Sequence, residues 1–331
     1  METVTLNNGV KMPVIGLGTY LSTNNSCYEA VETAIKNGYR MIDTACAYGN
    51  HKEVGAAMKK CIDEGIIKRE DMFITTKIWI CDWKPENVEK AMQVALEELQ
   101  TSYVDLLLIH YPPFFNLEPK DEKHRQEGYF FDYPVVPTER AEKLGFDIDR
   151  VMITWRKMEE LVQRGLVRAL GVSNYSSVRL QMLCDRATIK PTVNQVELHP
   201  YLQQWELKEV CDRNGVYLEA YFPLGGLVNG RIRKYDTPLV DPIILRIADS
   251  HKKTPAQVML RWAIQRGTIV IPKSVHASRV IENIQVFDFA LTDKEMKEMR
   301  DLDKRYRFNN RTFLWPEPAD GEMMWNGEYV N

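Results

Sequence analysis

The sequence predicts an α/β fold, a (β/α)8 or TIM barrel, in which residues 1–331 form a single domain. Eight short apolar runs alternate with amphipathic stretches along the chain, and such units in series favour a parallel sheet flanked by helices. The count of eight favours closure of that sheet into a barrel. No change in composition marks a second domain. An open, doubly wound sheet is the alternative architecture.

The local signals for each element follow the chain. Asn8-Gly9 separates two short apolar runs and favours an N-terminal β-hairpin. The eight runs of the barrel are residues 14–18, 40–43, 72–77, 104–110, 167–174, 192–197, 216–221 and 269–274. Between them, residues 85–100 begin with a proline and carry apolar residues at helical spacing. Residues 254–267 have Thr-Pro at their start and glycine at their end, which are helix start and stop signals.

Two stretches depart from the alternation of strands and helices. Residues 112–148 form a long, polar loop after the fourth strand, and residues 303–331 form a tail rich in aromatic residues. Long loops in compact domains are often lids or binding elements. We therefore expect the tail to lie over the active-site face. The glycine-rich segment 16–21 lacks the third glycine of a dinucleotide-binding fingerprint, which argues against the open sheet.

Composition excludes several classes of function. The chain has 331 residues and a formal net charge of −3. It therefore lacks the overall positive charge that would indicate binding to nucleic acid or to an anionic membrane. Its start lacks a signal-peptide pattern, and no apolar run approaches the roughly 20 residues of a membrane span. The six cysteines are scattered, without a C-x-x-C pair. We expect a cytoplasmic protein with reduced thiols and no metal.

Each apolar run ends near a side chain that can react or form hydrogen bonds. In a barrel, the carboxyl ends of all strands converge on one face. Residues far apart in the chain are therefore expected to share one pocket. The side chains at these ends are Asp43, Lys77, His110, Ser173, Asn174, Gln195, Tyr221, Lys273 and Ser274.

Four residues at this face have the chemistry of a general acid. Tyr48 follows Asp43 by five positions. A lysine such as Lys77 beside a tyrosine stabilises the tyrosinate, and an aspartate keeps that lysine charged. A histidine nearby, His110, can hydrogen-bond a carbonyl oxygen. The four residues are therefore predicted to protonate an oxygen while hydride reaches the adjacent carbon.

Three long motifs resemble the signatures of the aldo-keto reductases. They are "GYRMIDTACAYGN" (38–50), "MEELVQRGLVRALGVSNY" (158–175) and "IPKSVHASRVIENIQV" (271–286). The similarity runs from about residue 4 to 310. It implies a barrel that reduces aldehydes or ketones with a nicotinamide cofactor. It also implies that Tyr48 is the acid, that Asp43 and Lys77 make release of the Tyr48 proton easier, and that His110 orients the carbonyl.

The same resemblance implies a cofactor site. Its residues are Gly18, Thr19, Ser173, Asn174, Gln195, Tyr221, Leu224, Lys273, Ser274, Arg279, Glu282 and Asn283. Lys273 and Arg279 predict NADPH (NADP+) over NADH, because cations of this kind pair with phosphate oxygens. The sequence departs from the family in this region. Phe222 replaces a residue that is more often serine.

The tail narrows the expected substrate. "RYRFNN" (305–310) and "TFLW" (312–315) resemble the C-terminal segment of aldose reductases that act on xylose. Residues 187–204 also resemble that branch of the family. The implied substrate-binding residues are Tyr20, Trp79, His110, Tyr111, Phe222 and Asn309, with Asn309 binding a sugar hydroxyl. The predicted function is NADPH-dependent reduction of aldehydes, including aldoses such as xylose, to alcohols.

Other functions stay open. The chain could be a general aldehyde or ketone reductase without sugar preference, or a non-catalytic, cofactor-binding regulatory subunit. A sugar hydrolase on the same fold would need two carboxylates facing the substrate, and only Asp43 and Glu197 are acidic at the strand ends. The expected partners are a small-molecule aldehyde or sugar, with no nucleic acid and no membrane. We expect a monomer or a weak homodimer.

Overall fold

The barrel is formed by eight short parallel strands. A computed structural model describes residues 1–23, 25–117, 141–225 and 237–309, with positions 314, 325, 326 and 328. The strands in these residues are β1 Thr3–Thr5, β2 Lys11–Pro13, β3 Leu17–Gly18, β4 Met41–Asp43, β5 Phe73–Ile78, β6 Val104–Ile109, β7 Phe114–Leu117, β8 Ala141–Gly145, β9 Val167–Ser173, β10 Val193–Glu197, β11 Tyr217–Tyr221 and β12 Ile269–Val270. One sheet has the order β12-β11-β10-β9-β6-β5-β4-β3.

The sheet closes between its first and last strands. Ile15 and Gly18 form parallel bridges with Val270 and Lys273, respectively. The Gly16 N–H donates to the carbonyl oxygen of Val270 over 2.9 Å. The predicted (β/α)8 barrel is therefore confirmed, and the open sheet is wrong. As expected for a closed parallel barrel, the carboxyl ends of all eight strands meet at one face.

Helices surround the barrel and connect successive strands. In the described residues they are α1 Asn25–Lys36, α2 His51–Asp63, α3 Pro85–Glu98, α4 Ile148–Gln163, α5 Ser177–Arg186, α6 Trp205–Asn214, α7 Pro242–His251, α8 Pro255–Gln265, α9 Ala277–Asn283 and α10 Asp293–Arg300. Their starts agree with the sequence signals. Pro85 lies in the first turn of α3, and Thr254 caps α8 in a reciprocal pair of hydrogen bonds with Gln257.

The N-terminal hairpin covers the amino end of the barrel. β1 and β2 pair antiparallel, and the turn between them contains Gly9 at a φ of 84°. This left-handed conformation suits glycine because it has no Cβ. Leu6 and Met12 pack inside the barrel with Met41 and Phe73. This apolar closure leaves only the opposite face of the barrel for a polar site.

The loop and the tail both meet the barrel at the carboxyl face. β7 and β8 form an antiparallel ribbon at the two ends of the long loop, whose residues 118–140 lie outside the described part. From the tail, Leu314 and Trp325 are buried in one cluster with Trp79, Tyr111 and Phe115. The tail therefore packs against residues of the active-site face, as predicted.

Three predicted strand limits need correction. The first strand of the barrel, β3, begins at Leu17, although the apolar run suggested 14–18. β5 continues to Ile78, so Lys77 lies within the strand and is not its last residue. The last strand stops at Val270, although the apolar run suggested 269–274. Pro272 explains the early stop, since proline has no N–H to donate to the neighbouring strand. Among the described helices, none has the length and apolar character needed to cross a bilayer.

Candidate active site

A buried ion pair lies at the carboxyl ends of β4 and β5. The Lys77 ammonium donates to both carboxylate oxygens of Asp43, over 2.7 and 2.8 Å, and to the Thr44 carbonyl oxygen over 2.8 Å. Lys77 has no exposed surface and Asp43 is 2% exposed. Burial raises the pKa of the Asp43 carboxyl, whereas the charge of Lys77 and its hydrogen bonds lower it. The pair thus keeps a cation inside the barrel at a fixed position.

Tyr48 lies directly above this ion pair. It ends the short 3-10 helix Cys46–Tyr48, and the chain then turns through Gly49 at a φ of 69°. The Lys77 Nζ is 3.3 Å from the Tyr48 hydroxyl oxygen. A cation at this distance stabilises a phenolate more than a phenol, so proton release from Tyr48 becomes easier. The predicted acid, Tyr48, therefore lies in contact with the Asp43–Lys77 ion pair, as expected.

His110 lies beside Tyr48 at the end of β6. The two rings are 5.5 Å apart, and the ring of Trp79 is 5.0 Å from that of His110. Tyr111 stacks on the imidazole, with the ring centroids 5.2 Å apart. These aromatic neighbours hold the His110 ring at the mouth of the pocket, where it can reach an oxygen bound near Tyr48.

Two concave regions meet at Tyr48. The first, the catalytic pocket, is lined by Tyr20, Tyr48, His110, Tyr111, Ser173, Asn174, Gln195, Tyr221, Phe222 and Asn309. The second, the long cleft, is lined by Gly18, Tyr20, Leu21, Asp43, Tyr48, Tyr221, Phe222, Pro223, Leu224, Gly225, Ile271, Pro272 and Lys273. The two share Tyr20, Tyr48, Tyr221 and Phe222, so one elongated ligand can occupy both.

Three amide and hydroxyl groups at the base of the pocket are held by hydrogen bonds. The Gln195 amide nitrogen donates to Asp43 Oδ2 over 2.8 Å and to Glu219 Oε2 over 2.7 Å. The Asn174 amide donates to the His110 carbonyl oxygen and accepts from the Tyr221 hydroxyl over 2.7 Å. Both hydrogens of the Gln195 amide are used in this way. The group that Gln195 can offer to a ligand is therefore its carbonyl Oε1.

A carboxylate at the end of β10 anchors the tail. The Glu197 carboxylate accepts the backbone N–H groups of Phe308 and Asn309 over 2.6 and 2.8 Å, and His199 lies 3.0 Å from it. The Asn309 side chain then donates to the Tyr221 hydroxyl over 3.3 Å. The sequence analysis missed this anchor. Because Glu197 binds the tail backbone, it does not fit the second carboxylate of a hydrolase.

Gly18 brings the backbone to the wall of the long cleft. A Cβ at this position would lie 2.8 Å from the carbonyl oxygen of Ile271, which is too close. Only glycine therefore permits this packing of β3 against the last strand. Neighbouring Thr19 is buried and does not line either cavity, because its hydroxyl donates to the Asp43 carbonyl oxygen over 2.9 Å.

Of the predicted cofactor-site residues, Lys273 and Ser274 precede α9, and Arg279, Glu282 and Asn283 lie in it. Lys273 lines the cleft, and the Ser274 hydroxyl accepts the His276 N–H over 3.1 Å. Arg279 is exposed on the first turns of α9. Glu282 accepts a hydrogen bond from Thr254 over 2.8 Å. Besides Thr19, six predicted site residues line neither cavity: Lys77, Trp79, Ser274, Arg279, Glu282 and Asn283.

The loop beyond the cleft is partly outside the described residues. Pro223, Leu224 and Gly225 line the cleft, whereas residues 226–236 are not described. Phe222 adopts a φ of 49°, a rare conformation for a residue with a large side chain. Its ring is 6.2 Å from that of Tyr20, so the two rings flank the junction of pocket and cleft.

Comparison with known proteins assigns the chain to a family. The model of the Aldo/keto reductase family matches residues 14–304. The chain belongs to the aldo/keto reductase family. The resemblance seen in the three sequence motifs is thereby confirmed, as is the expectation of an oxidoreductase.

Several members of the family are similar over almost their whole length. An NAD(P)H-dependent D-xylose reductase of Scheffersomyces stipitis is 42% identical over 320 residues, which are 94% of this chain and 96% of that protein. Aldo-keto reductase family 1 member A1 of Gallus gallus is 41% identical over 313 residues, 92% of this chain and 90% of that protein. An aldose reductase structure from Schistosoma japonicum superposes with a TM-score of 0.83 at 37% identity, covering 95% of this chain and 96% of that one.

Removal of the Tyr48 hydroxyl tests the proposed acid. We expect Tyr48→Phe to lower kcat for aldehyde reduction by at least about 100-fold, since general acid catalysis contributes roughly 10²–10⁴-fold. Cofactor affinity should change little. The measurement is kcat, under conditions in which a deuterated cofactor shows that hydride transfer limits the rate.

Tyr103→Phe is the matched control, because Tyr103 precedes β6 at the opposite end of the barrel and packs under Arg69. It should retain wild-type kcat. A Tyr48→Phe variant that keeps more than about a tenth of wild-type kcat would refute the assignment of the acid.

Proposed function

We propose that the protein reduces aldehydes, including aldoses such as xylose, to alcohols with NADPH. The observation that carries the proposal is the Lys77 ammonium, fully buried, paired with Asp43 and 3.3 Å from the Tyr48 hydroxyl. This arrangement suits the donation of one proton in a pocket that is otherwise largely aromatic. The relatives named D-xylose reductases support the substrate class, and their names support the cofactor.

The residues of the cleft fit a nicotinamide dinucleotide. The cleft runs from Tyr48 past Tyr221 and Leu224 to Lys273, so it is long and has a cation at one end. At the other end, the ring of Tyr221 offers a stacking surface, and Gln195 presents its Oε1 to an amide N–H. The backbone at Gly18 leaves the cleft wall without a side chain.

The proposed mechanism assigns one task to each of Asp43, Tyr48, Lys77 and His110, the catalytic tetrad. A nicotinamide cofactor held in the cleft would provide the hydride that reduces the carbonyl carbon. His110 holds the carbonyl oxygen beside the Tyr48 hydroxyl, and Tyr48 donates its proton to that oxygen as negative charge develops there. Lys77 stabilises the tyrosinate that results, and Asp43 keeps Lys77 charged and in position. The aromatic walls exclude water, which strengthens these interactions.

Arg279 is proposed to distinguish NADPH from NADH. Its side chain is exposed on α9, within the same segment as Lys273. A guanidinium pairs with the oxygens of a 2′-phosphate, a group that NADH lacks. We expect Arg279→Ala to raise KM for NADPH by about 10- to 100-fold, as for loss of a hydrogen bond to a charged group, and KM for NADH by less than about twofold.

Steady-state KM values for both cofactors test this proposal. Arg246→Ala is the control, because Arg246 is an exposed arginine of α7 that pairs with Glu298. It should leave both KM values unchanged. Equal increases for NADPH and NADH in the Arg279 variant would exclude a role in binding the 2′-phosphate.

Asn309 is proposed to recognise a sugar hydroxyl. Glu197 fixes its backbone and Tyr221 its amide, so the side chain is held at the rim of the catalytic pocket. We expect Asn309→Ala to lower kcat/KM for xylose by about 3- to 30-fold, which corresponds to the loss of one hydrogen bond in a desolvated pocket. Benzaldehyde has no hydroxyl and should be reduced almost as well as by the wild type.

The two substrates together separate the open alternatives. Equal losses for xylose and benzaldehyde would make Asn309 a structural residue. A wild type that reduces benzaldehyde but no aldose would be a general aldehyde reductase. A wild type that binds NADPH and reduces neither would be a binding subunit.

A further inference from the structure

A third acidic residue lies inside the barrel below the catalytic tetrad. Glu219 is in the middle of β11, opposite Gln195 of β10 on one side and Ile269 of β12 on the other. It has no exposed surface. A buried carboxyl group is costly unless it is paired or neutral. Its position in a barrel strand therefore calls for an explanation beyond packing.

One amide connects Glu219 to the tetrad. The Gln195 nitrogen donates one hydrogen to Glu219 Oε2 and the other to Asp43 Oδ2. Asp43 in turn holds Lys77, which reaches Tyr48. Glu219 is thus one side chain away from the ion pair that tunes the acid. It also determines which end of the Gln195 amide faces the pocket.

Burial and the nearby charge of Asp43 favour the neutral form of Glu219, whereas the Gln195 hydrogen bond and the charge of Lys77 oppose it. Among the described residues, the charged groups that face it are Asp43 and Lys77, while Gln195 and Ile269 on the neighbouring strands are uncharged. Burial, and to a lesser extent the negative charge of Asp43, raise the pKa of Glu219 to about 8. Near neutral pH the cluster of Asp43, Lys77 and Glu219 therefore holds one ammonium and one carboxylate. Above that range it gains a second negative charge.

We propose that Glu219 is a positioning residue with two roles. It orients the Gln195 amide toward the cofactor. When Glu219 ionises, its negative charge makes Tyr48 a weaker acid. This inference rests on the proposed function. A second negative charge in the cluster destabilises the tyrosinate, because like charges repel in a medium of low dielectric constant. Proton donation therefore becomes less favourable as pH rises through the ionisation of Glu219.

The pH profile of Glu219→Gln tests the electrostatic part. Glutamine has nearly the same shape, its Oε1 still accepts from Gln195, and it cannot ionise. We expect wild-type kcat/KM to fall between about pH 7.5 and 9 with an inflection that the variant lacks. The variant should exceed the wild type by about three- to tenfold at pH 8.5, a change that corresponds to roughly one pKa unit in the acid or less.

Glu159→Gln is the matched control. Glu159 is a buried carboxylate of α4 that accepts the Ile189 N–H over 2.7 Å, away from the pocket. Its profile should have the same inflection as that of the wild type.

Glu219→Leu tests the positioning part. Leucine fills the space but leaves one Gln195 N–H without an acceptor, so the amide is no longer held in one orientation. We expect the dissociation constant of NADPH, measured by fluorescence titration at pH 6.5, to rise by about tenfold. The value for Glu219→Gln should stay within about threefold of the wild type. Thermal unfolding of both variants shows whether the fold is retained.

The outcomes separate this inference from the proposed function. An active wild type whose pH profile coincides with that of Glu219→Gln would overturn the electrostatic role. A folded Glu219→Leu variant with wild-type NADPH affinity would overturn the positioning role. A wild type that reduces no aldehyde with NADPH would overturn the proposed function, and this inference with it.

Discussion

The site depends on an ammonium group that has no contact with solvent. Lys77 can remain charged inside the barrel only because Asp43 and the Thr44 carbonyl oxygen surround it at hydrogen-bond distance. β4 and β5 are neighbours in the sheet, so their carboxyl ends bring the two side chains together. Thr19 holds the Asp43 backbone from the adjacent strand. The barrel thus stabilises a buried cation that would be unfavourable without these hydrogen-bond acceptors. Tyr48 lies beside it.

The proposed cofactor and substrate sites are connected to this pair by a short series of hydrogen bonds. On one side, Asp43 orients Gln195 at the base of the pocket. On the other, Tyr221 joins Asn174 to Asn309 of the tail, and Glu197 fixes the tail backbone. The side chains of Asn309 and Tyr221 therefore connect the tail to Asn174, one of the residues proposed to hold the nicotinamide. The tail belongs to the site and does not merely cover it.

The sequence predicted the barrel and the tetrad because both depend on patterns that are local in the chain. Strand ends converge in any closed parallel sheet, so Asp43, Lys77 and His110 could be grouped without coordinates. Glu197 and Glu219 could not be assigned in this way, since their roles depend on strand register and on where the tail docks. A signal for Glu219 was present nonetheless. A charged residue in the middle of an apolar strand run is unusual, and it indicates a partner inside the barrel.

The central claim is that Lys77 acts on catalysis through Tyr48, and a double-mutant cycle tests it most directly. Lys77→Met with Asp43→Asn removes both charges and leaves no unpaired ion in the interior. We predict that this change lowers kcat about 100-fold in the wild-type background but less than about threefold when combined with Tyr48→Phe, with the fold checked by thermal unfolding. The same loss in both backgrounds would contradict the account, because Lys77 would then act independently of the tyrosine.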